Sequence, residues 1–486
     1  MRAVPAPLAA LLGVVLLLGV AWALVVPPFQ VPDEAVHVQY TQSIVARGEL
    51  PGKGRGVLST QEGFALVTAQ NGGIRNNMFP KPEWSERAFH RWERQARDLP
   101  DDDGGAYFPQ SENPPLYYLY EAIPYVAAGG GSFFDRMHAM RLWSALLLLV
   151  TTTGAWLLAG EVFGRDRVLQ LATAGLVGLQ PMVTFISAGV NPDAGIVAFW
   201  TVAFWLGARV LRRGLTLRDG VALGLVVGLA VTEKATSWAL VPAALLAAVV
   251  GWRRMRARGD AGAGRALGAT LAAFAVPAGA WVVTAAALGR GVTNHAPDRA
   301  GVSTPSLTSL HSLREFASYV WQYYLPKLPF QDRYAPLLGD TSRFYTTWHE
   351  TGWAAFGWLE VRLPDWAYSV LGIASALAIL GGVAAIVRAD RRRRADPATV
   401  GFLLLAALGL MLALHWVDYT YLTIARHAVE QGRYILPLVA IGGLAVAGSV
   451  SLLRRRWRAP AVGILIAGLL TLQLASLAVT AERYFA

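Results

Sequence analysis

The chain contains no cysteine among its 486 residues, which excludes disulfide bonds, thiolate nucleophiles and thiolate metal ligands without fixing the compartment. Charged residues are also scarce, at 15% of the sequence, whereas hydrophobic residues make up 54% and the mean hydropathy is +0.40. Such a composition is not that of an ordinary soluble domain. It is typical of a membrane protein that crosses the bilayer many times.

The basic residues fall in short clusters between the apolar runs. A net charge of +11 would suggest a nucleic-acid partner in a soluble protein, but clusters between apolar segments follow the positive-inside rule. They therefore predict cytoplasmic loops. The clusters are Arg209, Arg212, Arg213 and Arg218; Arg253, Arg254, Arg256 and Arg258; Arg388 with Arg391, Arg392, Arg393 and Arg394; and Arg454, Arg455, Arg456 and Arg458.

The apolar runs predict an all-α polytopic protein with about 11 transmembrane helices and additional juxtamembrane helices on the outer side. We interpret the first run as an uncleaved helix rather than a signal peptide, because it is long enough to span. The run 114–128 is short and is interrupted by Glu121 and Pro124. We interpret it as a surface or re-entrant helix, because a crossing there would place the arginine clusters outside. The expected spans are 7–26, 142–162, 168–190, 194–211, 219–232, 235–251, 267–288, 367–387, 398–414, 434–451 and 460–480.

This topology predicts three parts of the chain. Residues 1–288 form a transmembrane module whose first outer loop, 27–113, carries more acidic than basic residues. Residues 289–366 form a large extracytoplasmic loop in which apolar residues recur at helical spacing, as in amphipathic helices on a membrane surface. Residues 367–486 contain the C-terminal transmembrane helices.

Ionisable residues gather at the predicted outer ends of the helices. Pro32-Asp33-Glu34 directly follows the first membrane helix, and His37 lies one helical turn after Asp33. Carboxylates and an imidazole beside a bilayer tend to mark sites of chemistry or transport. Further polar motifs are predicted to face the same side: Asn191-Pro192-Asp193, Thr232-Glu233-Lys234 and Gln431-Gly432-Arg433-Tyr434.

The order and spacing of these motifs resemble the GT-C superfamily of membrane glycosyltransferases. The resemblance extends to Asn113-Pro114-Pro115-Leu116-Tyr117-Tyr118 and to Phe356-Gly357-Trp358-Leu359, and it covers most of the chain. Within the superfamily, the sequence is most similar to a bacterial family of predicted multi-spanning membrane proteins without an assigned substrate. The resemblance implies inverting transfer of a sugar from a polyprenyl-phosphate-linked donor to an extracytoplasmic acceptor, which is a cell-envelope glycan, a lipid or a protein. It also implies a plasma-membrane location with the active site on the extracytoplasmic face.

The resemblance assigns a general base to the carboxylate of the first outer loop. This role maps onto Asp33 or, as the second candidate, Glu34. A carboxylate suits the reaction, because it accepts the proton of the acceptor hydroxyl while its charge stabilises an oxocarbenium-like carbon. The alternative is structural, since both acids lie where an N-cap and a first helical turn favour negative charge.

Arg433 is the candidate ligand of the donor phosphate, because a guanidinium can hold two phosphate oxygens in a bidentate grip. Lys234 is the second candidate. The alternatives are an interfacial arginine that snorkels to lipid head groups, and an ion pair between Lys234 and Glu233 or another nearby acid. Supporting roles are expected for His37, Asn191, Asp193, Gln431 and Tyr434.

A divalent metal is a further alternative, since Asp33, His37 and Asp193 offer carboxylate and imidazole ligands. No other cofactor is indicated. Asp332 and Arg333, in the large outer loop, are candidates for acceptor contacts.

The main alternative function is a transporter or flippase of lipid-linked saccharides. That class is expected to show internal repeats and charges near mid-membrane, whereas this sequence has no repeat and most of its ionisable residues map to one outer face.

Overall fold

The computed structural model describes residues 4–76, 85–96, 98–292, 310–331, 344–391, 396–425 and 428–485. The predicted all-α architecture is confirmed. The helices are α1 Ala6–Val25, α2 Glu34–Arg47, α3 Thr60–Thr68, α4 Asn71–Asn76, α5 Glu86–Ala96, α6 Leu116–Ala127, α7 Phe133–Ser144, α8 Leu146–Phe163, α9 Arg167–Leu179, α10 Pro181–Ser187, α11 Asp193–Arg213, α12 Leu217–Glu233, α13 Val241–Ala257, α14 Ala263–Ala287, α15 Leu310–Tyr324, α16 Thr351–Trp353, α17 Asp365–Arg391, α18 Pro397–Ala425, α19 Val439–Ser451 and α20 Arg455–Phe485.

Shorter elements complete the described part of the chain. Strands β1 Ala355–Phe356 and β2 Val361–Arg362 form an antiparallel hairpin. The 3-10 segments are Pro109–Glu112, Ala235–Leu240 and Gly432–Leu438, and Tyr345–Glu350 is a π-helical turn.

Nine helical segments of the described ranges are long and apolar enough to cross a membrane. They are Ala6–Val25, Phe133–Phe163, Asp193–Arg213, Ala235–Ala257, Ala263–Ala287, Asp365–Ala389, Pro397–Ile424, Gly432–Ser451 and Arg455–Phe485. A tenth is α9 with α10, bent by 57°. The remaining expected span, 219–232, is α12, whose 17 residues lie at the short limit of a spanning helix. Every span expected from the sequence thus corresponds to a helix.

The bend between α9 and α10 has a local cause. Gln180 precedes Pro181, and a residue before proline is disfavoured in the helical conformation. Its backbone is extended, with φ −74° and ψ 123°. The Gln180 amide accepts from the backbone N–H of Val183 at 2.6 Å and donates to the carbonyl of Gly352 at 2.5 Å. The break is therefore tied to the segment that precedes the hairpin.

Helix α6 occupies the run 114–128. Its 12 residues rise about 18 Å, well short of a hydrocarbon core of about 30 Å, so this helix is too short to span alone. Tyr117 and Tyr118 are almost fully buried, and the Tyr118 ring stacks on Tyr40 of α2 at 3.6 Å between centroids. Helix α6 thus packs against α2, which lies in the first outer loop.

Two buried clusters fix the ends of the helices that carry the polar motifs. In the larger cluster, Trp22 of α1 packs against Phe185 and against Phe356 of the hairpin, and its indole N–H donates to Gln473 at 2.8 Å. The second cluster packs the first outer loop, including Phe29, against α6 and α7, including Tyr118. The turn that carries Asp33 lies between these clusters.

Candidate functional site

Four charged side chains from distant parts of the sequence meet at one end of the helical bundle. Asp33 lies in the turn between α1 and α2, Asp193 begins α11, Lys234 follows α12, and Arg433 lies in the 3-10 segment before α19. Arg433 Nη2 lies 2.7 Å from Asp33 Oδ2, and Arg433 Nε lies 3.7 Å from Asp193 Oδ2. Lys234 Nζ forms an ion pair with Asp193. We call these four residues the charged quartet.

The charged quartet has an accessible pair and a buried pair. The side chains of Asp33 and Lys234 are 27% and 19% exposed, whereas those of Arg433 and Asp193 are 5% and 4% exposed. A ligand that approaches the site therefore meets one carboxylate and one ammonium first. The guanidinium and the second carboxylate lie behind them.

Asp33 has an unusual backbone conformation. It occupies the N-cap position of α2 with φ +61°, in the left-handed region that few residues other than glycine adopt. Its side chain makes no capping hydrogen bond. The carboxylate turns instead toward Arg433, and its other oxygen accepts from Gln110 Nε2 at 3.4 Å. Asp33 therefore does not cap the helix, and its strained backbone points the carboxylate into the site.

The surroundings of Asp33 keep its carboxylate ionised. Burial raises the pKa of Asp33, but the charge of Arg433, the nearby His37, the hydrogen bond from Arg433 and the charge of Lys234 more than offset this effect and hold the pKa below its usual 3.8. Burial lowers the pKa of His37 to about 4, against the opposing charge of Asp33. The Nδ1 atom of His37 lies 3.0 Å from the Tyr118 hydroxyl. At neutral pH the site thus contains an ionised Asp33 beside a neutral imidazole.

Glu34, the neighbouring acid, faces a different environment. Its side chain is fully buried and receives two hydrogen bonds from Arg141, at 2.6 Å and 2.7 Å. The backbone N–H groups of Phe29 and Val190 also donate to it, at 2.9 Å and 3.2 Å. Because the carboxylate accepts four hydrogen bonds and is inaccessible, this geometry makes Glu34 a structural anchor rather than a base.

Arg141 is a central residue that sequence reasoning missed. Besides binding Glu34, its guanidinium donates to the carbonyls of Val26 and Pro27, at 2.5 Å and 2.9 Å. It therefore joins the end of α1 to α7 and holds the turn that carries Asp33. The one sequence feature that could have identified Arg141 was a charged residue directly before the expected span 142–162.

Two of the expected supporting residues, Asn191 and Tyr434, contact the charged quartet. Asn191 Oδ1 accepts from the backbone N–H of Asp193 at 2.9 Å, and its Nδ2 donates to the Pro32 carbonyl at 2.9 Å. The Tyr434 ring lies 5.1 Å from the Arg433 guanidinium and 5.4 Å from Lys234 Nζ, within cation–π range. Asn191 thus links Asp193 to the turn that carries Asp33. The Tyr434 ring lies against both Arg433 and Lys234.

Three further residues near the charged quartet are Gly432, Glu233 and Gln431. Gly432 packs against the backbone of Gly352, where a Cβ would collide, so its small size is required by packing. Glu233 does not pair with Lys234, and its buried Oε1 atom has no hydrogen-bond partner in the described part of the chain. The same holds for the Oε1 atom of Gln431.

Two predictions remain, namely the acceptor contacts and the metal site. Asp332 and Arg333 lie outside the described residues. Within the described ranges, no group of three or more histidine, aspartate or glutamate side chains is arranged to hold a metal ion. Asp33 and Asp193 bind Arg433 and Lys234 instead, so a metal at Asp33, His37 and Asp193 stays a prediction without geometric support.

A second polar cluster, also missed from the sequence, lies directly before Arg433 in the chain. Asp418 accepts from the backbone N–H groups of Val429 at 2.7 Å and Glu430 at 3.2 Å, and Tyr319 donates to it at 2.8 Å. Glu430 lies 3.1 Å from His415. These contacts join α15 and α18 to the segment that carries Arg433.

A family model described as "Predicted membrane protein (DUF2142)" matches residues 16–441 of the chain. No protein of curated function matches the sequence.

Several solved structures are similar in fold. The apo oligosaccharyltransferase of Archaeoglobus fulgidus is 13% identical, and the superposition covers 99% of this chain and 56% of that chain with a TM-score of 0.50. ArnT from Cupriavidus metallidurans bound to undecaprenyl phosphate is 15% identical, with 98% and 75% of the two chains covered and a TM-score of 0.44. Arabinosyltransferase EmbB from Mycobacterium smegmatis is 12% identical, with 93% and 32% covered and a TM-score of 0.45.

The likeness to the oligosaccharyltransferase concerns the fold alone, because the identity is low. This chain spans about half the length of that protein. The fold is that of the GT-C membrane glycosyltransferases, as the resemblance of the sequence motifs predicted.

Proposed function

The chain belongs to the DUF2142 family of predicted membrane proteins, and from that premise we propose that it is an inverting glycosyltransferase. In this proposal it transfers a sugar from a polyprenyl-phosphate-linked donor to the hydroxyl group of an extracytoplasmic glycan, lipid or protein. The observation that carries the proposal is an accessible carboxylate, Asp33, that pairs with Arg433 at one end of a GT-C fold, with a second cation, Lys234, held in the same charged quartet by Asp193.

Asp33 is the general base in this mechanism. The acceptor oxygen attacks the anomeric carbon as the bond between that carbon and the phosphate oxygen breaks, and polyprenyl phosphate leaves with the bonding electrons. Asp33 accepts the proton of the acceptor hydroxyl. Its negative charge also stabilises the oxocarbenium-like carbon in the transition state. The ionised state of Asp33 at neutral pH supports this role.

Lys234 and Arg433 bind the phosphate of the donor. Lys234 is the more exposed cation and attracts the phosphate first, whereas Arg433 presents a planar guanidinium that suits two phosphate oxygens. Both cations stabilise the charge that develops on the leaving phosphate. Tyr434, which lies against both, keeps them at a fixed separation.

Donor binding activates the base in this arrangement. Without donor, Arg433 forms a hydrogen bond with Asp33, which lowers the pKa of the carboxylate and makes it a weak base. A bound phosphate competes with Asp33 for the guanidinium and neutralises part of its charge. The pKa of Asp33 then rises toward its usual value, and a stronger base becomes available only when the donor is present.

A transfer assay in proteoliposomes tests the proposal. The purified protein is supplied with polyprenyl-phosphate sugars and a panel of membrane-envelope acceptors, and both the labelled product and the released polyprenyl phosphate are measured. A transferase yields the two in equal amounts. A flippase moves the intact donor across the bilayer without releasing polyprenyl phosphate, and this result would refute the proposal.

A further inference from the structure

A second charged site lies at the opposite end of the bundle from the charged quartet. A cavity of about 430 Å³ opens between the α8–α9 loop and the beginning of α20. Four arginines line it, namely Arg165, Arg167, Arg455 and Arg458, together with the single carboxylate of Asp166. Helix α8 separates the two ends, because Arg141 binds Glu34 near its start and the cavity begins at Gly164 after its last residue.

The acid does not neutralise the arginines. Asp166 caps α9 by accepting from the backbone N–H groups of Val168 and Leu169, at 3.0 Å and 3.4 Å, and lies 3.5 Å from Arg458. Arg458 also donates to the carbonyl of Ser451 at 2.6 Å. Among the described residues, Arg165, Arg167 and Arg455 form no ion pair. The cavity therefore has uncompensated positive charge.

The backbone places Arg165 at the cavity in a strained conformation. Gly164 and Arg165 are consecutive residues with positive φ, at +71° and +68°. Glycine adopts this region freely, but an arginine there is uncommon. The Arg165 backbone N–H donates to the Gly160 carbonyl at 3.1 Å and closes the C-terminal end of α8. This turn holds Arg165 beside the cavity, where its side chain is exposed.

The surroundings of the cavity indicate that the ligand is a lipid. Behind the cavity, α9, α19 and α20 pack through a buried apolar cluster that includes Leu169, Val450 and Val462. Beside it, Trp457 is 54% exposed and Leu453 is 42% exposed. An exposed tryptophan next to arginines is typical of the depth at which phospholipid head groups lie. The cavity thus opens at the level of the head groups, beside surface suited to acyl chains.

We propose that this arginine-lined cavity is a binding site for the phosphate head group of an anionic phospholipid. The proposal is independent of the glycosyltransferase function. Arg165, Arg167 and Arg455 bind the phosphate oxygens, and Arg458, held by Asp166 and Ser451, forms the fixed wall. Basic cavities between membrane helices are suited to anionic head groups, since each basic residue adds to the attraction. A soluble phosphate shares this chemistry, and the experiment distinguishes the two sources.

The test compares nanodiscs of phosphatidylcholine with nanodiscs that also contain phosphatidylglycerol. Lipid that stays bound to the purified protein is counted by native mass spectrometry, and thermal stability is measured in both nanodiscs. We expect phosphatidylglycerol to stay bound and to raise the unfolding temperature. Arg165→Gly suits the left-handed backbone and removes the exposed side chain with its charge, so it should fold normally and weaken binding about fivefold. Arg455→Ala should weaken it similarly.

The matched control is Arg253→Ala, which removes one exposed arginine from another cluster on the same predicted side. We expect it to leave phosphatidylglycerol binding unchanged. Equal losses in Arg253→Ala and Arg165→Gly would show general attraction to a basic surface and overturn the proposal. Stabilisation of the phosphatidylcholine sample by glycerol phosphate, to the same extent as by phosphatidylglycerol, would overturn the lipid assignment in favour of a soluble phosphate.

Discussion

Asp33 and Arg433 are separated by 400 positions in the sequence, yet their side chains meet at 2.7 Å. The contact joins the turn after the first membrane helix to the segment before the nineteenth helix. It places a carboxylate that remains partly exposed against a guanidinium that is almost fully buried. The proposed mechanism depends on this pair. Asp33 is the proposed base and Arg433 the proposed phosphate ligand, and the two bind each other before the donor arrives.

Replacing Asp33 by asparagine tests the base. Asparagine has similar size and tolerates the left-handed backbone at this position, so Asp33→Asn should fold. The variant cannot accept the hydroxyl proton. Transfer should fall by roughly two to four orders of magnitude, measured as initial rates with saturating donor and with thermal stability as the control. Wild-type rates in a folded variant would contradict the assignment.

Replacing Arg433 by lysine tests the phosphate ligand. Lysine keeps the positive charge beside Asp33 but cannot hold two phosphate oxygens in one plane. Arg433→Lys should therefore weaken donor binding by about tenfold or more, as expected for the loss of a charge-assisted hydrogen bond. Binding of a labelled donor to the detergent-solubilised protein measures this effect. An unchanged affinity would return Arg433 to a purely structural role.

The dependence of the rate on pH reports the charge on Asp33. Because the pKa of Asp33 is held below its usual 3.8, kcat/KM for donor in the free enzyme should not depend on Asp33 near neutral pH and should fall only in strongly acidic solution. Below its pKa, Asp33 is protonated and the rate falls. Arg433→Gln removes the charge that lowers this pKa. The fall in kcat/KM at low pH, the acid limb of the profile, should therefore begin at a higher pH. An acid limb at the same pH in both proteins would show that the titrating group is not Asp33.

His37 has to be distinguished from Asp33 in that experiment, since its pKa is about 4. His37→Gln removes the imidazole and retains a polar partner for Tyr118. The acid limb should persist in this variant. Its disappearance would assign the limb to His37.

The pair of Glu34 and Arg141 should behave as a structural unit. Glu34→Gln leaves a buried guanidinium without its counter-charge, and breaking such a pair typically costs about 3–5 kcal/mol. The variant should therefore unfold at a lower temperature or fail to accumulate. The double variant Glu34→Gln with Arg141→Met removes both charges and should recover part of the loss, as measured by thermal unfolding in detergent. Normal stability of Glu34→Gln alone would contradict the structural role.

The orientation of the bundle can be tested with single cysteines, because the chain has none of its own. Gln70→Cys lies in the first outer loop, and Arg253→Cys lies in a basic cluster; both positions are exposed. A thiol reagent that does not cross membranes should label position 70 in intact cells and position 253 only after permeabilisation. The reverse pattern would place the charged quartet on the cytoplasmic side.

The positions of the membrane helices follow from the sequence alone. Burying apolar side chains in a bilayer requires a run of about 20 residues, and such a run is visible without knowledge of any neighbour. For the same reason the polar motifs at helix ends, including Asp33 and Arg433, could be identified. One break point was also local, since Pro181 interrupts its own run. Helix α12, with 17 residues, is the case in which length alone leaves the crossing undecided.

The roles of Asp33 and Glu34 could not be separated from the sequence, because two adjacent carboxylates are chemically equivalent there. The tertiary structure decided between them. Arg141, 107 residues after Glu34, neutralises that acid in a buried site, while the left-handed backbone of Asp33 turns its carboxylate toward Arg433. Local patterns determine which segments enter the membrane, since hydrophobic burial acts on each segment separately. The partner of each charge depends on long-range packing, which brings together residues that have no relation in sequence.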